Sequence, residues 1–414
     1  MKNVLHLLAL CTLTAAAFLG SGKTFAVIGD CADATLLEHT FSSGASWALC
    51  ADVSALHALE VSSVHYRAPG DSQRSVLAQA HVAQILMHYH DEPEARAQIG
   101  QLDNSRNVTM NVNNCDGTLL LDKSEGPTVC SRIETPRILA KYAQRPSLQG
   151  SSWELSSALQ RDGLLWVVSV RFSEDGQITP AITLSGKARE GTDVVADAVT
   201  DVVADVGTDV ISDAEASGVD TTSTLPESGR QLTRATILGT WRLVFNLDDG
   251  QTDQVQQFDF VLDSLRGNRR SMQIVPMTSE SFASVNRDQF RAWLIADPTG
   301  TGYYLDPSNS GFNYGGTQYN WTQFDLAVTR NASCERYALG NSSHSEQSDP
   351  TCGDTLDDFV SGELIDSEHP ALWFSQSRTL SPTNEDWPAI SHFRQSFTLL
   401  PYDWTESSPF EVIE

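Results

Sequence analysis

The chain has 414 residues, a formal net charge of −26 and 40% hydrophobic residues. Such an acidic surface repels nucleic acid and anionic membranes and leaves cationic ligands and divalent metals admissible. Nine Trp and the apolar content suffice for a buried core, which excludes a disordered acidic tail, and the length allows two or three domains.

The chain begins with a sorting-signal pattern over residues 1–26. Met1-Lys2-Asn3 is a positive start, Val4 to Gly20 an apolar run, and Thr24-Phe25-Ala26 a cleavage site, so the mature chain is expected to begin near Val27 with no membrane span. Cys11 leaves with the signal. Six cysteines then remain, and an even number in an exported chain predicts disulfides. Of the roughly 15 connectivities, the neighbour pairing Cys31–Cys50, Cys115–Cys130 and Cys334–Cys352 closes the shortest loops and is the expected one. No C-x-x-C spacing supports zinc.

Residues 27–55 read as a disulfide-stapled segment preceding a domain over 56–414. From Leu56, apolar and polar residues alternate through Ala58 to Tyr66 and Ser75 to Ile85, with the turn Ala68-Pro69-Gly70-Asp71 between them. Further strands are predicted at Thr118 to Leu121, Leu164 to Phe172, Ile178 to Leu184, Thr240 to Phe245, Val255 to Val261, Trp293 to Ala296, Ala371 to Ser375 and Ser396 to Leu400. One short helix is expected at Arg137 to Ala143. The class is mainly β.

An acidic stretch over 190–228 interrupts this texture. Thr192-Asp193-Val194-Val195-Ala196-Asp197 recurs, with small changes, at Thr200 and Thr208, ending at Asp213. Six carboxylates are hard ligands for calcium, but the glycine turns and fixed spacing of calcium loops are missing, so a solvated linker is the preferred reading. His88-Tyr89-His90, if extended, sets two imidazoles on one face beside Asp91 and Glu92, half of a metal site, although solvated surface histidines are the commoner case. No G-x-S-x-G marks a serine nucleophile. Asn107, Asn320, Asn331 and Asn341 begin glycosylation acceptor triplets, which matter only in a eukaryotic secretory route.

Several landmarks together resemble copper amine oxidases. At Arg171 to Ile178 a strand meets an Asp175-Gly176 turn, as in that family's hairpin. Val64-His65-Tyr66 with Arg74 to Ala80 is similar to its first strands, and Cys115-Asp116-Gly117 with Cys130 to its internal disulfide. Trp241-Arg242-Leu243-Val244-Phe245 leading to Asp249-Gly250 resembles the strand after its copper-binding histidines. Ala371 to Phe374, Glu385-Asp386-Trp387-Pro388 and Phe397 to Pro401 resemble its closing strands. The resemblance runs from about Trp47 to Pro409. It implies a large β-sandwich, the family's supersandwich, usually homodimeric, that oxidises primary amines to aldehydes with copper and a topaquinone made from a tyrosine of the same chain.

That chemistry needs a phenol, three imidazoles and a carboxylate base. Placed on Asp175-Gly176, the quinone tyrosine of the family falls at Leu164, with Trp166 beside it. Placed on Arg242-Leu243, the histidine pair falls at Ala235 and Ile237, and placed on Glu385 to Pro388 the third histidine falls at Leu380. The stretch after Asp91-Glu92-Pro93 is shortened, and no counterpart of the base is found. The expectation is an exported, catalytically inactive relative without copper or topaquinone, serving as a binding or structural protein with an unknown ligand or protein partner. The alternatives are a primary-amine oxidase with rearranged ligands and a calcium-binding acidic surface protein.

Overall fold

Alternating and continuous apolar runs build most of the described chain as strands. A computed structural model describes residues 31–413 except 32–33, 55–56, 93, 95, 100–105, 124–125, 143–144, 162, 188–232, 248–251, 264–266, 268, 308–317, 341–351, 366–368, 384–388 and 406–410. The signal, the Asp/Val repeat, Asp249-Gly250, Glu385 to Pro388 and the Asn341 triplet lie outside the described residues.

An antiparallel meander opens the fold: β1 (Thr35–Thr40), β2 (Ser46–Ser54), β3 (Ala58–Arg67) and β4 (Gln73–Tyr89). Residues 35–54 therefore share a sheet with the strands that follow. Short β5 (Arg96–Ile99), β6 (Arg106–Asn107) and β7 (Thr118–Lys123) precede a long hairpin of β8 (Gly126–Tyr142) and β9 (Arg145–Arg161). Next come β10 (Leu164–Ser173), β11 (Ile178–Lys187), β12 (Ala235–Phe245), β13 (Gln254–Asp263) and β14 (Arg269–Met277). The chain continues through β15 (Ser281–Ala283), β16 (Ala292–Ala296), β17 (Gly302–Asp306), β18 (Leu326–Arg330) and the single-turn α1 (Leu356–Phe359). It closes with β19 (Pro370–Leu380), β20 (Ala389–Ser396), β21 (Thr398–Tyr402) and β22 (Glu411–Ile413).

These strands form two sheets. A nine-stranded sheet runs β1-β2-β3-β4-β12-β19-β18-β15 with β5 on β4, and a thirteen-stranded sheet runs β14-β13-β16-β17-β21-β11-β10-β9-β8-β7 with β20, β22 and β6 attached. Trp47, Tyr66, Ile237 and Phe245 from the first meet Trp153, Trp166, Phe172 and Ile182 from the second in one large core, so the expected β-sandwich is the observed one. The helix expected at Arg137 to Ala143 is corrected: residues up to Tyr142 belong to β8 and pair with β9. Register breaks between Glu134 and Arg137 and between Ile138 and Ala140 keep the strand from reading as a clean period of two.

The Asp175-Gly176 turn is a hairpin, with Gly176 at φ +89° and Ser173 N–H donating to the Gln177 carbonyl at 2.8 Å. Three aromatic donors clamp it. Trp47 Nε1 donates to the Ser173 carbonyl at 2.8 Å, Tyr66 to Glu174 at 2.9 Å and Tyr303 to Gly176 at 3.0 Å. Both sheets thus hold the far end of the β10–β11 hairpin, which fixes the place of Leu164 at its other end. The three disulfides join neighbours as expected: Cys31–Cys50, Cys115–Cys130 and Cys334–Cys352.

Candidate functional site

β12 is the middle of the nine-stranded sheet, flanked by β4 and β19, and is buried on both faces. Its inner face begins with Ala235 and Ile237. Ala235 lies directly opposite Leu380 on β19 and opposite Tyr89 on β4; Ile237 lies opposite Met87. Three positions assigned from two separate motifs therefore meet within one patch of two adjoining strands. Leu164, at the start of β10 in the facing sheet, belongs to the same hydrophobic cluster as Ala235 and Ile237, and half-buried Leu380 and Tyr89 pack against it. Gln395 Nε2 reaches across from β20 and donates to the Ile237 carbonyl at 2.9 Å. Gly239 leaves room for this approach and for Ile182, since a Cβ there would sit 3.0 Å from Gln395 Oε1 and 2.5 Å from Ile182 Cδ1.

What this patch can do is limited by its atoms. Methyl, sec-butyl and isobutyl groups offer no lone pair to a metal, and leucine offers no phenol to oxidise. Copper and a tyrosine-derived quinone do not fit these four side chains, and no catalytic step can be derived through them.

His88 and His90 lie on the other side of the strand pair. His88 pairs with Thr236, the residue between Ala235 and Ile237, and His90 Nε2 lies 3.1 Å from Thr236 Oγ1. The two rings are 6.2 Å apart, and the Nε2–H of His88 donates to the Glu92 carbonyl at 2.8 Å. Asp91 accepts from Thr233. Among the described residues no group of three or more His, Cys, Asp or Glu is placed to hold a metal.

A second polar region was not anticipated. On the outer face of the nine-stranded sheet, Glu60, His81, Arg242 and Trp373 stand opposite one another across four successive strands. His81 and Arg242 are fully buried, at 0% and 1% exposure. Gln79 links the row, donating to Glu60 and accepting from Arg242 Nη1 at 2.8 Å. Asn331, Ala332 and Arg336, which follow β18 and flank Cys334, cover it. Arg242 Nη2 donates to Asn331 Oδ1 at 2.7 Å and to the Ala332 carbonyl at 3.2 Å, His81 Nε2–H donates to the Arg336 carbonyl at 3.0 Å, and the Arg336 guanidinium pairs with Glu60.

Charge in this row follows burial and partners. Burial pushes His81 down to about 3 despite the attraction of Glu60, so the ring is neutral at physiological pH. Burial also lowers Arg242 to about 10, which leaves it charged. Glu60 would be raised by burial, but its cationic neighbours and Gln79 outweigh that and hold it near 2. With His81 uncharged at neutral pH, His57, at 3.3 Å, Arg336 and Gln79 are the partners of Glu60 there. Glu335, raised mainly by burial, titrates at about 7.

Sequence comparison adds a family. Residues 248–413 match the model described as copper amine oxidase, enzyme domain. That stretch includes Leu380 but not Leu164, Ala235 or Ile237. Three solved structures share the fold over 88% of this chain. They are a copper-containing benzylamine oxidase from Hansenula polymorpha (TM-score 0.62, 14% identity, 59% of that chain), an Aspergillus nidulans amine oxidase (0.61, 13%, 52%) and a Pichia pastoris lysyl oxidase (0.59, 13%, 52%). The chain thus spans between half and three fifths of the length of these neighbours. It is copper amine oxidase-like, in fold across its described strands and in family match over residues 248–413.

Proposed function

We infer that this protein is an exported relative of the copper amine oxidases that has lost the oxidase chemistry and acts as a binding or structural protein. One observation carries the reading: Ala235, Ile237 and Leu380 meet on one patch, Ala235 and Ile237 belong with Leu164 to one hydrophobic cluster that Leu380 packs against, and none of the four side chains can ligate copper or become a quinone. The convergence supports the residue assignments, since two unrelated motifs bring positions far apart in sequence to the same place. Filling such a patch with apolar side chains is also the physically expected outcome once copper is not needed. An imidazole buried without a partner costs stability, whereas burying a Leu or Ile side chain contributes about 1.5–3 kcal/mol. The three disulfides agree with export, and no described helix is long and apolar enough to cross a membrane.

The rival reading, a primary-amine oxidase with displaced ligands, draws on the family match and on His88 and His90, which sit across β12 from the apolar patch. Elemental analysis of the exported protein after dialysis against copper, with a visible spectrum and a peroxide assay on benzylamine, separates the two. The inactive reading expects no stoichiometric copper, no quinone band and no peroxide. One copper per chain with a quinone band would overturn it.

A further inference from the structure

Six of the ten large hydrophobic side chains exposed among the described residues border one strand, β14, and each is 48% to 65% exposed. Met272, Ile274 and Val275 belong to β14 itself. Leu262 stands opposite Arg270 on β13, Phe290 lies under the Arg270 guanidinium at 4.9 Å, and Leu364 bridges to Ser279 just beyond the strand. Successive residues of β14 point to opposite faces, so both faces of the strand meet solvent. β14 is also the last strand of the thirteen-stranded sheet, with no strand beside it other than β13 among the described residues.

An open backbone edge with apolar side chains on both faces is a template for another strand. The ends of β14 decide which strand fits. Arg269 and Arg270 open it. Glu363 lies beside its close, where its carbonyl accepts from Glu280 N–H at 2.8 Å and its carboxylate is exposed. A strand laid antiparallel must therefore be acidic where β14 begins and basic where it ends. β14 of a second copy, turned about a two-fold axis, meets both demands at once. With the axis at Gln273, Met272 faces the partner's Ile274, Ser271 faces the partner's Val275, and Arg269 faces the partner's Met277, next to the partner's Glu363. Pro276, which has no N–H to give, falls at the margin opposite Arg270, and Ser271 to Val275 carry the pairing.

We propose that two copies of this protein associate edge to edge through β14, joining their thirteen-stranded sheets into one antiparallel sheet across a two-fold axis at Gln273.

Sedimentation equilibrium of the full exported chain at moderate salt, which damps the repulsion between two acidic molecules, is expected to give a dimer. Met272→Lys/Ile274→Lys alters two exposed side chains, so the fold, checked by circular dichroism, is expected to hold while the dimer weakens by at least about 100-fold. Gln273→Cys is expected to give a disulfide-linked dimer under mild oxidation, because residues opposite one another in an antiparallel pair have Cα atoms about 5 Å apart. Ser271→Cys is the control: the two introduced cysteines lie four residues apart along the paired strands, about 13 Å, and no cross-link is expected. A monomeric parent chain overturns the proposal. So does a dimer that survives the two lysines, or one that cross-links through Ser271→Cys and not through Gln273→Cys, since either puts the interface in another place.

Discussion

On its inner face β12 carries Ala235, Ile237, Trp241, Leu243 and Phe245, all within one apolar cluster. On its outer face the same strand carries Thr236, Leu238, Thr240, Arg242 and Val244, with Thr240 bonded to Ser375 at 2.8 Å and Arg242 at the centre of a polar row. Both faces are buried, yet they solve the problem differently. The inner face, where the copper ligands of the family are expected, has no polar side chain at its first two positions. The outer face holds a buried cation and supplies it with acceptors on Gln79, Asn331 and Ala332. Buried polar side chains on this strand occur where neighbouring groups supply hydrogen-bond partners.

The largest effect should come from reversing the inner face. Ala235→His, Ile237→His and Leu380→His together place three imidazoles at one patch, because Ala235 and Leu380 are directly opposite and Ile237 is two residues along. The triple variant is expected to retain about one copper per chain after dialysis, measured by elemental analysis and by the d–d band of copper(II). The double variant Ala235→His/Leu380→His, which disturbs less of the core, should bind more weakly. If both fold by circular dichroism and neither holds copper, the assignment of these positions is wrong.

On the outer face, Arg242→Ala should destabilise by about 3–4 kcal/mol, since it opens a cavity and leaves acceptors on Gln79, Asn331 and Ala332 without a donor. Arg242→Met fills the space and removes the buried charge, and should cost less than half as much. Urea midpoints at an unchanged slope measure both. Equal losses for the two variants would mean that hydrogen bonding, and not packing, dominates this face.

A finer comparison uses neighbours on one strand. Ile237→Val removes one methylene from the inner core and should cost about 1 kcal/mol, while Thr236→Val, on half-buried Thr236, should stay within about 0.5 kcal/mol. A Thr236 variant that loses more than the Ile237 variant would point to a structural role for its contacts with His90 and Thr379.

The two faces also differ in how much of them could be read in advance. Alternation marks β10 and β12 as strands, as observed, and the inner positions are assigned as expectations by their distances from local motifs, Asp175-Gly176 and Arg242-Leu243 among them. The row Glu60, His81, Arg242 was not, since its members come from three strands whose register depends on pairing across the whole chain. One signal was present: Arg242 is a lone charge in the run Trp241-Arg242-Leu243-Val244-Phe245, and a charge inside an apolar strand is seldom left without partners. The segment Arg137 to Tyr142 failed for the opposite reason. Its local spacing suits a short helix, but pairing with β9 over a long hairpin outweighs local preference. The start of the meander was missed as well: β2 is buried at nearly every position and so lacks alternation, β1 has six residues, and the pairing of β1 to β2 and of β2 to β3 makes them part of the sheet.

The smallest effect concerns the ionisation of the roof over the outer face. Burial raises the Glu335 carboxyl to about 7; Glu280 and Glu363 add to this, while Arg242 and Arg330 oppose it. A carboxyl whose folded value lies above its unfolded one binds more protons in the folded chain. Its contribution to stability is therefore fully present below the unfolded value near 4.5 and is lost as pH rises through about 7. Other groups titrate in the same range, and His81, held neutral by burial, works in the opposite sense. A difference measurement isolates Glu335. Glu335→Gln keeps the shape and removes the proton equilibrium, so the stability of the parent chain relative to this variant should decline between pH values of about 5 and 8. Thermal or urea unfolding across that range at moderate salt, which damps the repulsion of the −26 net charge, reads the difference directly. A parent chain that gains on the variant as pH rises would show that Glu335 is better paired when ionised than when neutral, which would make it the missing counter-ion of Arg242.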